Sequence, residues 1–192
     1  MRLPHAKWEL GFTMIELMVT LAVLAILLVA AVPSFTDFFD KNRVRGAADG
    51  VISLIGNARA EAVKTDLDVN VAFTKSSATS WCVGANAAAP PTGGAPADDA
   101  LACDCTDATK CMVGGQRSVI EVGAYPDVGI GTIPSAFAFD SKLGVVTPLA
   151  TNSVTLTSPR GKYDIKVEVN ALGQARLCVP STKPAIAGVA AC

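Results

Sequence analysis

The chain has 192 residues, with 16 Lys and Arg against 17 Asp and Glu and a single histidine, His5. A formal charge of −1 argues against a basic wrapper of nucleic acid, and 51% hydrophobic residues exclude wholesale disorder. A mean hydropathy of +0.41 with only 17% charged residues is high for a soluble domain, so part of the chain is expected in a membrane, and six cysteines favour an oxidising compartment.

Phe12 to Val32 is an apolar run of 21 residues carrying one charge, Glu16. As a helix it extends about 31 Å, the thickness of a bilayer's hydrocarbon core. Arg2 and Lys7 precede it on the side expected to stay cytoplasmic, and Asp37, Asp40 and Lys41 follow Pro33. A cleaved secretory signal does not fit, because the run is too long and a carboxylate lies near its start. A plain signal anchor explains the length but gives Glu16 no purpose, although a carboxylate at bilayer depth costs about 2.5–3.5 kcal/mol.

Gly11 followed by Phe12-Thr13-Met14-Ile15-Glu16 resembles the leader junction of type IV pilins and related pseudopilins. The resemblance implies cleavage after Gly11 by a prepilin peptidase and methylation of the new amino group on Phe12. Glu16 then becomes the fifth mature residue, and Pro33 falls where the family usually carries a proline. A buried carboxylate needs a cationic partner, and a bundle of such helices can supply a neighbour's Phe12 ammonium.

Past Pro33 the helical period continues. Val44, Val51, Ile55, Ala58 and Ala62 draw one apolar stripe, with Lys41, Arg43, Arg45, Asp49 and Glu61 on the remaining surface. One long helix from Phe12 to about Lys64 is predicted, kinked or locally unwound at Pro33, its second half lying on a globular head. Gly46, Gly50 and Gly56 each cost about 1 kcal/mol relative to Ala, so that half needs something to pack against.

After Thr65 the period changes to two. Leu67, Val69, Val71 and Phe73 alternate with polar residues, and so do Tyr163, Ile165, Val167 and Val169. Further strands are expected at 81–84, 118–123, 136–139, 154–157 and 175–179, with Ala171-Leu172-Gly173 turning one strand into the last. Between 85 and 102, 13 of the 18 residues are Ala, Pro or Gly, the composition of a surface loop. The predicted class is α+β and pilin-like: a leader over 1–11, a transmembrane and assembly helix over 12–33, its amphipathic half over 34–64, and an antiparallel β-rich periplasmic head over 65–192.

Cys82, Cys103, Cys105, Cys111, Cys178 and Cys192 lack the spacing of zinc knuckles, and His5 leaves with the leader. Disulfides are expected. Of the 15 possible pairings, Cys178–Cys192 is preferred, with the other four stapling the Ala- and Pro-rich loop to the sheet around Cys82. Asp98, Asp99, Asp104 and Asp107 show no ordered calcium spacing, so no metal and no cofactor are expected. A mature chain without histidine excludes Ser-His-Asp and Cys-His catalysis, and an enzyme is not expected.

Residues 57–64 (NARAEAVK) and 170–178 (NALGQARLC) resemble the FimT/GspH family of minor pilins and pseudopilins. The resemblance implies a low-abundance subunit that primes or joins assembly near the tip of a type IV pilus, supporting twitching motility, adhesion or DNA uptake. GspH-type members do the corresponding job in type II secretion. The implied partners are other major and minor pilins through the N-terminal helix, the prepilin peptidase and the inner membrane. FimT-type members are implicated in binding DNA through a Gly-Arg-x-Arg motif, which Gln174 interrupts here, leaving Arg176 alone. From Ser158 to Cys192 there are five bases and two acids, so Arg160, Lys162, Arg176 and Lys183 form a candidate DNA-facing set only if they converge on one exposed face.

Overall fold

A computed structural model describes residues 12–29, 35–87 and 103–192 in full and the backbone of 30–34. The elements are α1 (Met14–Thr65), β1 (Val69–Ser77), β2 (Ser80–Ala87), β3 (Met112–Val113), β4 (Gln116–Glu121), β5 (Gly129–Ile130), β6 (Phe137–Phe139), β7 (Val146–Thr147), β8 (Asn152–Thr157), β9 (Asp164–Val169), β10 (Ala175–Val179) and β11 (Ala190–Ala191). The chain divides between Phe39 and Asp40 into two units, of which the first holds the start of α1 and the second the head.

In the head, α1 buries Val44, Ala47, Ala48, Val51, Leu54, Ile55, Ala58 and Ala62. This is the predicted stripe, widened by small residues that let strands approach. Gly46 and Gly50 have a packing reason. A Cβ on Gly50 would stand 2.8 Å from the Tyr125 hydroxyl, and one on Gly46 3.2 Å from the same ring. Those positions therefore admit Tyr125 against the helix, which offsets their cost in helix propensity.

The strands make two sheets where the sequence reading had one. The first is ordered β3-β4-β2-β1-β6-β7 and the second β11-β10-β9-β8-β5. Inward residues of both sheets, among them Val69, Val71, Phe137, Phe139, Leu156, Ile165 and Val167, join the helix stripe in a single core. Buried Trp81 donates its indole N–H to the Val128 carbonyl at 2.8 Å, and the Ile130 N–H donates to Ala78 O at 2.8 Å, tying the second sheet to the β1–β2 turn. All pairings are antiparallel except β10–β11, where Cys178 lies beside Ala190 in parallel. The Cys178–Cys192 disulfide, with a Cα separation of 4.9 Å, brings the chain end there. Closing a loop of this length contributes about 3 kcal/mol in the chain-entropy model.

The remaining disulfides join Cys82 to Cys105 and Cys103 to Cys111. Only the first reaches β2 directly; the second ties the returning segment to itself. Together with Ala72 they make a small second core on the outer face of the first sheet, with Val119 packed against it. Gly84 makes room for it. A Cβ there would collide with Cys103 Sγ and lie 2.8 Å from Cys111 Sγ.

Gly84→Ala should therefore cost about 1–3 kcal/mol of stability, read as a lowered melting temperature. In a Cys103→Ala/Cys111→Ala background the added cost of the alanine should largely vanish. An equal penalty in both backgrounds would show that the disulfide is not what Gly84 accommodates.

Candidate functional site

The sequence-predicted residues fall in three places. The first is the start of α1. Gly11 lies outside the described residues, whereas Phe12 is 86% exposed just ahead of the helix. Thr13 caps it: the Glu16 N–H donates to Thr13 Oγ1 at 3.3 Å and the Leu17 N–H to Thr13 O at 3.2 Å. Thr13-x-x-Glu16 is thus one half of a capping box, and the Glu16 carboxylate sits where the helix dipole favours negative charge. Thr13 is missing from the sequence-predicted site, although Thr-x-x-Glu ahead of an apolar run is its signal.

From Phe12 to Val29 thirteen large apolar side chains are more than half exposed. Fully burying one such side chain is worth about 1.5–3 kcal/mol, and much of that apolar transfer is left unrealised among the described residues. Among the described residues no helix is long and apolar enough to cross a membrane. The apolar run continues in the sequence through Ala30, Ala31 and Val32, whose side chains lie beyond the described set; Pro33, in the same stretch, is helical.

The second place is β9, β10 and the turns beside them, and there the four cations do not converge. Arg176 stands opposite Glu168 in the ladder and donates to its Oε2 from Nε at 2.8 Å and from Nη2 at 2.6 Å. Lys166 lies 2.7 Å from the other oxygen of the same carboxylate. Arg160 and Lys183 sit past the opposite end of β9. Arg160 Nε donates to Asp40 Oδ2 at 2.8 Å, and Lys183 Nζ donates to Gly161 O at 2.6 Å and stands 3.4 Å from Asp164. Lys162 Nζ lies 5.4 Å from the Tyr163 ring centroid. Arg176 is thus separated by most of a strand from the other three, and Arg160, Lys183 and Arg176 each meet a carboxylate of the head.

The hydrogen bond from Lys166, followed by that from Arg176, holds the Glu168 carboxyl below the usual glutamate range. In the disulfide-bonded segment, Asp104 and Asp107 accept from the hydroxyls and backbone N–H groups of Thr106 and Thr109, which lowers both. These acids close turns, and among the described residues no group of three or more metal-ligating side chains gathers. Asp98 and Asp99 lie outside the described residues. The cysteines, the third set, are paired as given above.

A depressed carboxyl stabilises the fold fully above its unfolded pKa and loses that contribution as pH falls through its folded value. Glu168→Gln should lower stability at neutral pH by about 1 kcal/mol. The gap from wild type should close only as pH drops below the ordinary glutamate value. Melting curves over an acid series read it, and a gap independent of pH would refute the pairing.

A family model described as the prokaryotic N-terminal methylation motif matches residues 9–32. One described as type II transport protein GspH matches residues 47–173, more than half of the chain. Among solved structures, the type IV minor pilin FimU of Pseudomonas aeruginosa (strain PAO1) is similar at 11% identity and a TM-score of 0.49, covering 73% of this chain and 91% of that one.

Proposed function

Because the chain belongs to the FimT/GspH family of type IV minor pilins and pseudopilins, we propose that it is a minor pilin that primes or joins type IV pilus assembly near the tip. The observation that carries the proposal is the beginning of α1, led by Phe12 and Glu16 and almost wholly apolar, with its large side chains exposed among the described residues. After cleavage at Gly11 by the prepilin peptidase, this segment stands in the inner membrane with the head in the periplasm. On assembly it leaves lipid for a bundle of pilin helices. Both surroundings supply burial that the described residues do not give this segment. In the bundle Glu16 meets the Phe12 ammonium of a neighbour, so the charge that costs most in lipid becomes the one that fixes helix register.

The head's part is structural. Its own core and three disulfides do not depend on the exposed run, so it is built to remain folded while the helix changes surroundings. A second reading, a minor pseudopilin of type II secretion, is favoured by the description of the model that matches residues 47–173. Deleting the gene separates them: loss of piliation and twitching with normal exoprotein secretion supports the pilus, and the reverse supports the secretion system.

Glu16→Ala or Gly11→Ala should abolish incorporation into the fibre while the head melts as in wild type. Normal piliation in both variants would sink the assembly mechanism. Nucleic-acid binding is the weaker reading, since a phosphate must compete with Glu168 for Arg176 and with Asp40 for Arg160. Purified protein should give no salt-dependent DNA shift, and a shift at low salt that Arg176→Ala weakens would make this a DNA-uptake pilin.

A further inference from the structure

The two disulfides beside β2 overlap in sequence. Cys82 pairs with Cys105 and Cys103 with Cys111, whereas Cys178 pairs with the next cysteine along, Cys192. Joining the first four in the order in which they occur would give Cys82–Cys103 and Cys105–Cys111, each loop two residues shorter than the one found. Loop closure favours the shorter loops by about 1.2-fold and about 1.5-fold, so the unfolded chain does not select the observed pairing. Structure later in the chain selects it. Arg117 Nη2 donates to Cys105 O at 2.8 Å, and the Ser118 N–H donates to Cys111 O at 2.8 Å. Both donors belong to β4, which sets Glu121 opposite Cys82 and Val119 opposite Gly84. Met112 of β3 donates its N–H to Asn86 Oδ1 at 2.9 Å. Within that frame Cys105 meets Cys82, while Cys103 and Cys111 lie over the Gly84 backbone. Every donor in it lies beyond Cys111. A head that follows an N-terminal anchor across a membrane presents all four cysteines before β4.

We propose that a thiol–disulfide isomerase is a partner of this chain and converts first-formed Cys82–Cys103 and Cys105–Cys111 bonds into the pairing found. The inference rests on the reading that the head enters an oxidising periplasm. The isomerase supplies a thiolate of low pKa. It attacks Cys82 Sγ, forms a mixed disulfide there and releases the Cys103 thiolate. That thiolate attacks Cys111 Sγ, and the new Cys103–Cys111 bond releases the Cys105 thiolate. Cys105 then attacks Cys82 Sγ and expels the isomerase thiolate unchanged. Two disulfides stand at the start and two at the end, with no net oxidation. Exchange stops there, because the four cysteines are at most 6% exposed in the folded head and a further thiolate has poor access. Cys178–Cys192 joins consecutive cysteines and needs no such correction.

The test isolates the full chain from cells with and without their periplasmic disulfide isomerase, with free thiols capped before lysis. Unreduced digestion at aspartate parts Cys103 from Cys105 at Asp104, and mass spectrometry then reads each bond. Without the isomerase, Cys82–Cys105 and Cys103–Cys111 should fall about twofold or more in favour of Cys82–Cys103 and Cys105–Cys111, while Cys178–Cys192 holds. In Cys103→Ala/Cys111→Ala the consecutive pairing is the native one, so Cys82–Cys105 should form equally in both strains. Native pairing in full yield without the isomerase overturns the proposal. Loss of Cys178–Cys192 alongside the others also overturns it, since that marks failed oxidation rather than failed exchange. Thiols that stay free in both strains overturn the oxidising-compartment reading beneath it. Where cells degrade mispaired chains, the full chain reoxidised in detergent by oxidised glutathione, with and without purified isomerase, reads the same bonds against the same outcomes.

Discussion

Everything in this chain follows from one helix having to satisfy two kinds of surroundings. Up to Val29 the described side chains of α1 are exposed and, Glu16 and Thr20 apart, apolar around the circumference, which no water-soluble helix sustains. From Asp40 onward the same element carries a stripe of Val, Ile, Leu and Ala that is buried, and a reverse face of Lys, Arg, Asp and Glu. The first pattern requires an apolar solvent or a bundle of like helices; the second requires a sheet. The head supplies the sheet, and the proposed membrane and helix bundle would supply the other.

The charges of the head obey a related constraint. With near-equal numbers of acids and bases, the head settles Arg176 against Glu168 and Lys183 against Asp164 along one outer strand face, and Arg160 against Asp40 across to the helix. Exposed pairs of this kind contribute little stability singly, about 0–1 kcal/mol. Their larger effect is on recognition. A cation already chelated by its own fold binds a phosphate only by exchange, and this is why basic residues counted along a sequence say less than their placement.

How much was legible in the sequence depended on how many residues carried each signal. The helix stripe, β1 and β9 were legible because each repeats its period over five or more residues. β3, β5, β7 and β11 have two residues each, too few for any alternation to register. The division into two sheets hangs on pairings such as β5 with β8, which no local pattern encodes. The parallel β10–β11 pair was equally hidden, since it follows from where Cys192 ties the chain end. At the candidate site the junction Gly11-Phe12 and Glu16 were legible as a motif, but the capping role of Thr13 was overlooked in its shadow. The dispersal of Arg176 from Arg160 and Lys183 needed the strand register, which sequence does not give.

The cysteine cluster is a second core built by covalent bonds rather than by apolar burial alone. The two disulfides and Ala72 pack over the bare backbone of Gly84. Cys82–Cys105 ties the 103–111 segment to β2 and Cys103–Cys111 ties it to itself, which removes conformations from the unfolded chain and leaves the main core unchanged. A side chain at position 84 would have to displace those sulfurs, so the glycine and the two disulfides constrain one another.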